Sequence, residues 1–252
     1  MVLSYALWLG AIGFETALLI HLLRLHLVVR YPYFFFYLTL TWANSGISWV
    51  AYHHWSAHYP WIVWIGELLT VLAGFLLVWE VFRQTFFPFP AIRLRASWLV
   101  LALILLLLGG NLLLAVLGGP RGDHLFFQLE RWLRLLQAGF LAAILGVARH
   151  YSLPLGRNVA GLAIGFGLYV SLTVVNFATQ ALAHIDLSQL NHLYAVTFLL
   201  TLVIWCHALW ILAPNPAPPR RAHLEQDYAR LNAIVAGAVL RLRGSRRKAS
   251  GA

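Results

Sequence analysis

The fold class predicted here is all-α: a polytopic membrane protein, a seven-transmembrane-helix bundle followed by a C-terminal amphipathic helix. Three observations predict it. Seven stretches are long and apolar enough to cross a bilayer, roughly 3–25, 33–54, 60–85, 96–118, 125–149, 159–183 and 192–213; a span needs about 20 mostly apolar residues. Their apolar runs are continuous and Leu-rich, not alternating every second residue, so they read as helices and not as barrel strands. The chain is 61% hydrophobic and only 10% charged, against about 25% charged in soluble domains.

Taken in order, the connections justify each span. Arg24 and Arg30 follow the first; Arg83, Arg93 and Arg95 follow the third; Arg149 and Arg157 follow the fifth. The tail adds Arg220, Arg221, Arg230, Arg241, Arg243, Arg246, Arg247 and Lys248, while the opposite connections offer Arg121 alone. Cytoplasmic loops are enriched in Lys and Arg. The N-terminus is therefore expected outside and the C-terminus in the cytoplasm. Pro32, Pro88, Pro90, Pro120 and Pro154 fall between spans, where proline interrupts no helix. Aromatic residues such as Tyr31, Trp55, Tyr59, Trp61 and Trp210 stand at the expected interfaces. No charged n-region or cleavage site precedes the first apolar run, so it is expected to be retained.

Two regions follow: the bundle over 1–214 and a basic cytoplasmic tail over 215–252. In the tail, Leu224, Tyr228, Leu231, Val235, Ala238 and Leu242 recur at heptad spacing over about 222–243. Two readings compete for that helix: it lies flat on anionic lipid headgroups, or it pairs with a second copy or another protein. The net charge of +10 serves topology and headgroups; nucleic acid is not expected. Cys206 is the single cysteine, so no disulfide forms within the chain and no thiolate metal site is expected.

Ionisable side chains at membrane depth are costly and point to function. At about 1.5 Å per residue, Glu67 lies roughly 10 Å down the third span, level with Arg131 and Arg134 on the fifth. Glu130, Arg134 and Gln137 share one helical stripe. Two arginines cannot both face lipid, so one or both turn inward to an acid, with Glu67 the natural partner. Asn176 and Gln180 of the sixth span, Asn44 and Ser45 of the second, and Glu15 near the middle of the first belong to compatible depths. Three readings stay open: a structural polar core, an outward-facing cavity in which arginine meets a small anionic ligand, and a proton-coupled transporter.

Histidines raise the question of cofactors. His21 and His207 lie in the inner thirds of the first and last spans. As facing imidazoles they would ligate a b-type haem; otherwise they join the helices by hydrogen bonds. The outer histidines show no zinc geometry, and no metal is expected. A retinal protein needs a lysine in its last span, and the lone lysine is Lys248. Zinc-dependent membrane hydrolases of the ceramidase type carry a close histidine pair on a late span, where His207 stands alone. Gly161 and Gly165 form a small-residue face for close helix packing.

The strings Arg30-Tyr31-Pro32, Trp79-Glu80-Val81-Phe82-Arg83, Arg131-x-x-Arg134-x-x-Gln137 and Gly165-Phe166-Gly167-Leu168-Tyr169 resemble a bacterial seven-helix membrane family whose function is not established. That resemblance implies a bacterial cytoplasmic (inner) membrane. In topology the chain is also similar to the seven-helix sensor modules of histidine kinases. Together these readings favour a non-enzymatic, sensor-like or ligand-binding protein with a polar cavity around Glu67, Arg131, Arg134 and Gln137. The rivals are a transporter or haem-binding electron-transfer subunit, and a scaffold subunit of a larger complex.

Overall fold

The computed structural model describes residues 2–87, 122–183 except 152 and 154, 187–211, and the isolated positions 102, 105, 109, 213 and 230. Apart from those isolated positions, the fourth predicted span and the tail helix lie outside them. Among the described residues there are seven helices and no strand. They are α1 (Val2–Arg24), α2 (Leu27–Arg30), α3 (Pro32–His54), α4 (Tyr59–Thr85), α5 (Gly122–His150), α6 (Arg157–Ala183) and α7 (Leu187–Leu209).

Within α1, α4, α5, α6 and α7, five segments are long and apolar enough to cross a membrane. The chain is an integral membrane protein with several spans. Helix α3 has the length, but Thr39, Thr41, Asn44, Ser45, Ser48, His53 and His54 dilute its apolar character, and it is not among the five. Leu9, Ile20, Ile65, Ile164, Val175 and Leu200 are all exposed. A soluble protein would hide such a girdle of aliphatic side chains; lipid is the solvent that accepts it.

Proline and a single strained residue set the helix boundaries at one end of the bundle. Helix α1 stops at Arg24, and His26 then takes the left-handed conformation at φ 52°, which lets the chain reverse into the short α2. Pro32 opens α3 within its first turn, where the missing N–H has no helical partner to lose. The next free amide, Tyr33 N–H, donates to Glu80 Oε2 of α4 at 3.0 Å. Glu80 is fully buried and also receives Arg83 Nη2 at 2.6 Å and Gln84 Nε2 at 3.2 Å. This carboxylate caps α3 from a neighbouring helix. Its ion-pair partner, Arg83, lies one turn along the same helix.

The helices close a ring through the neighbour pairs α1–α3, α3–α4, α4–α5, α5–α6, α6–α7 and α7–α1, with α4 also touching α6 across it. The first and last helices are thus adjacent. Inside the ring, Phe34 and Tyr37 of α3 meet Trp205 of α7 edge-on at 5.0 and 6.0 Å, and Tyr37 meets Phe166 of α6 at 5.7 Å. Gly161 and Gly165 form the predicted close face of α6. A side chain at Gly161 would collide with Ala208, and one at Gly165 with the Trp205 indole. Helix ends carrying Arg24, Arg30, Arg83, Arg149 and Arg157 gather at one end of the ring, and the starts of α1 and α4 with the end of α3 lie at the other.

Candidate functional site

Arg134 is the hub of a polar network that ties four helices together. Helix α5 carries it in the middle of the bundle, with its side chain only 2% exposed. Its Nε donates to Glu130 Oε1 one turn earlier at 2.8 Å, and its Nη2 donates to Glu67 Oε2 of α4 at 3.4 Å. Its guanidinium carbon lies 5.4 Å from the centre of the Tyr169 ring of α6, a cation–π contact. The Tyr169 hydroxyl is hydrogen-bonded to the Tyr194 hydroxyl of α7. One turn deeper, Gln137 Nε2 donates to the Val71 carbonyl of α4 at 2.5 Å, and its side chain lies against Gly74.

Of the two arginines, Arg134 turns in and Arg131 stays exposed on the outer face of α5. Arg134 and Gln137 share the stripe read from the sequence, and Glu67 is a partner of Arg134. Arg131 is not part of that network. Asn176 is buried on α6 with its Oδ1 unpartnered. Tyr37, Tyr169 and Tyr194 were not singled out as site residues by sequence reasoning. The signal available was a phenol inside an apolar run, which must find a polar partner when buried. The side chain of Gln180 lies outside the described residues.

Glu15 is set apart. It is fully buried on α1 beside the Thr41 hydroxyl, but Thr41 donates to the Leu38 carbonyl at 2.9 Å. Neither Glu15 oxygen has a hydrogen-bond partner. A charge placed there would meet the full cost of desolvation without a counter-ion. The position therefore asks for the side chain's shape, not its charge. Glu15→Gln is expected to cost less than about 1 kcal/mol, a melting shift of about 2–4 °C or less. A much larger loss in a thermal melt of that variant would show that the charge itself is used.

Beside the network, Glu67 also borders an open cavity of about 410 Å³ between the start of α1, the end of α3 and the start of α4. Asn44, Ser45 and Ser48 supply its polar wall, and Tyr5, Trp8, Trp49, Tyr52 and Tyr59 its rings. Asn44 lies against the bare backbone of Gly66, one residue before Glu67. The cavity sits at the end of the bundle opposite the gathered arginines. With a side chain 36% exposed, Glu67 is shared between cavity and interior, so the cavity floor and Arg134 are one ion pair apart.

The two candidate haem ligands have partners of their own. His21 stacks on Trp210 with ring centres 4.6 Å apart, and its Nε2 lies 3.2 Å from the Trp210 carbonyl oxygen. His207 Nε2 lies 3.4 Å from Arg157 Nη2. Haem is ordinarily ligated through Nε2; here both Nε2 atoms are engaged, one of them against a guanidinium, so this arrangement does not present them as an axial pair. Among the described residues, no three His, Cys, Asp or Glu side chains group to hold a metal ion.

No protein family, curated protein or solved structure compared with the chain gives a match. The likeness drawn from the motif strings therefore identifies no family, and what is shown is a multi-pass helical membrane protein.

Proposed function

We propose that this chain is a sensor-like, small-ligand-binding membrane protein whose site is the cavity floored by Glu67. The observation that supports it most is the double exposure of Glu67, which borders the cavity and at the same time holds the buried Arg134. Whatever binds Glu67 from the cavity competes with Arg134 for the same carboxylate. Arg134 is in turn seated on Tyr169, and Tyr169 is bonded to Tyr194. A change at Glu67 is thus carried from α4 through α5 to the α6–α7 pair. At the far end of that pair, Asn158 and Arg157 grip the last turn of α7, from which the tail departs.

The cavity end is read as the outer face and the arginine-rich end as the cytoplasmic one, following the charge asymmetry. The tail then lies where it meets anionic headgroups, a second copy or another protein. A volume of about 410 Å³ falls within the usual range for small-molecule sites, about 300–1,000 Å³.

The test uses the full chain purified in detergent. Trp8 and Trp49 line the cavity, so their fluorescence and the melting temperature report occupancy against a panel of cationic, neutral and anionic solutes. A ligand at 100 times its Kd adds about 2.7 kcal/mol of stability. The expected result is a saturable shift with at least one class, lost in a Ser48→Trp variant that fills the space. Identical responses from wild type and Ser48→Trp would remove the cavity from consideration.

A further inference from the structure

We infer that the cavity receives an organic cation, its ammonium group seated against Glu67 and bordered by aromatic rings. This rests on the cavity being a ligand site and names the class of ligand.

Charge around the site points that way. Two carboxyl groups, Glu67 and Glu130, share one buried guanidinium, that of Arg134. Glu130 holds the closer contact at 2.8 Å and is the less exposed of the two acids; Glu67, at 3.4 Å, is the more exposed and borders the cavity. A carboxylate incompletely matched within the protein is open to a cation from the cavity side. Among the described residues, the anion expected from the sequence finds no guanidinium there. Arg134 is enclosed behind its acids, Arg131 is exposed elsewhere on α5, and neither lines the cavity.

The walls agree with the floor. Tyr5, Trp8, Trp49, Tyr52 and Tyr59 line the space, and Tyr52 and Tyr59 pack edge-on at 5.5 Å. Aromatic faces carry negative potential, and several of them around one space attract an ammonium and repel an anion. His53 also lines the cavity, but its Nδ1 donates to the Trp49 carbonyl at 2.9 Å and its ring lies against Trp49 and Tyr52. It completes the wall more than it opposes the charge. Asn44, Ser45 and Ser48 are placed to hydrogen-bond whatever polar group the ammonium carries with it.

The experiment titrates the full-length protein in detergent with tetramethylammonium chloride and choline chloride, against sodium chloride at equal ionic strength. Tryptophan fluorescence and melting temperature are the readouts. Saturable binding of the ammonium salts, absent with sodium, is the expected result. Glu67→Gln should weaken it at least tenfold. Because that change also touches Arg134, Trp49→Leu provides a second arm away from the ion pair and should weaken binding several-fold with the ion pair intact. A quaternary ammonium can come from a free solute or from a lipid headgroup. Choline titrated into phosphatidylcholine nanodiscs, compared with phosphatidylglycerol nanodiscs, separates the sources: weaker apparent binding in the former marks the headgroup, and equal binding marks the solute. Binding of anionic or neutral solutes with no response to ammonium would overturn the inference and leave the ligand site standing. Silence toward every class, with Ser48→Trp indistinguishable from wild type, would remove both.

Discussion

Arg134→Ala is expected to cost about 3–5 kcal/mol, the range seen when one member of a buried ion pair is removed. The loss is large because the removed group serves several others. Glu130 loses its contact at 2.8 Å, Glu67 its contact at 3.4 Å, and Tyr169 the cation on its face. Glu67 retains access to the cavity, but Glu130 is left mostly enclosed. At about 2–4 °C per kcal/mol for a chain of this size, the melting temperature in detergent should fall by roughly 10 °C. Removing Glu130 as well should recover part of the loss, because an unmatched carboxylate is then absent. Residues in one network couple in this way, by about 0.5–3 kcal/mol. A wild-type melt for Arg134→Ala, or strict additivity in the double variant, would sink the network.

Asn158→Ala should be the next most damaging change, at about 2–3 kcal/mol, since each buried polar group left unpaired costs about 1–3 kcal/mol. Asn158 is fully buried at the start of α6. Its Nδ2 donates to the Ala208 and Ile211 carbonyls at 3.1 Å each, and its Oδ1 accepts the Ala213 amide at 2.8 Å. The last carbonyls of a helix have no partner within it, and this amide, with Arg157 on the His207 carbonyl, supplies partners that α7 lacks. Alanine removes all three bonds at once. Trp210, stacked on His21 beside this junction, should report the loosening through its emission. Unchanged melting together with unchanged Trp210 emission would show that the cap is dispensable.

Much of the fold was legible because hydrocarbon leaves few choices. A continuously apolar segment that crosses lipid must be helical and of fixed minimum length. Predicted spans at 3–25, 33–54, 60–85, 125–149 and 159–183 coincide with α1, α3, α4, α5 and α6 to within about three residues. The last helix departs from its prediction, running from Leu187 to Leu209 where 192–213 was expected. Its end is set by the Asn158 cap, which no local pattern in the sequence announces. Helix α3 departs in another way: its polar residues reduce it below the apolarity of the five membrane-crossing segments, and Asn44, Ser45 and Ser48 among them line the cavity.

Helix spacing alone placed Glu130, Arg134 and Gln137 on one stripe, and depth alone made Glu67 the natural partner of an inward-turning arginine. These follow from the geometry of a single helix and the thickness of a bilayer. Which of Arg131 and Arg134 turned inward was not decided at that level. Residues three apart on a helix sit about 60° from each other, so either one can flank a buried face. Only the position of α4 and α6 against α5 selects Arg134. The tyrosines, the unpaired Glu15 and the ring-lined cavity are likewise products of assembly, because each depends on side chains from separate helices meeting in space. Lipid determines that the rods form; contacts between the rods decide which charges they hide and which they present.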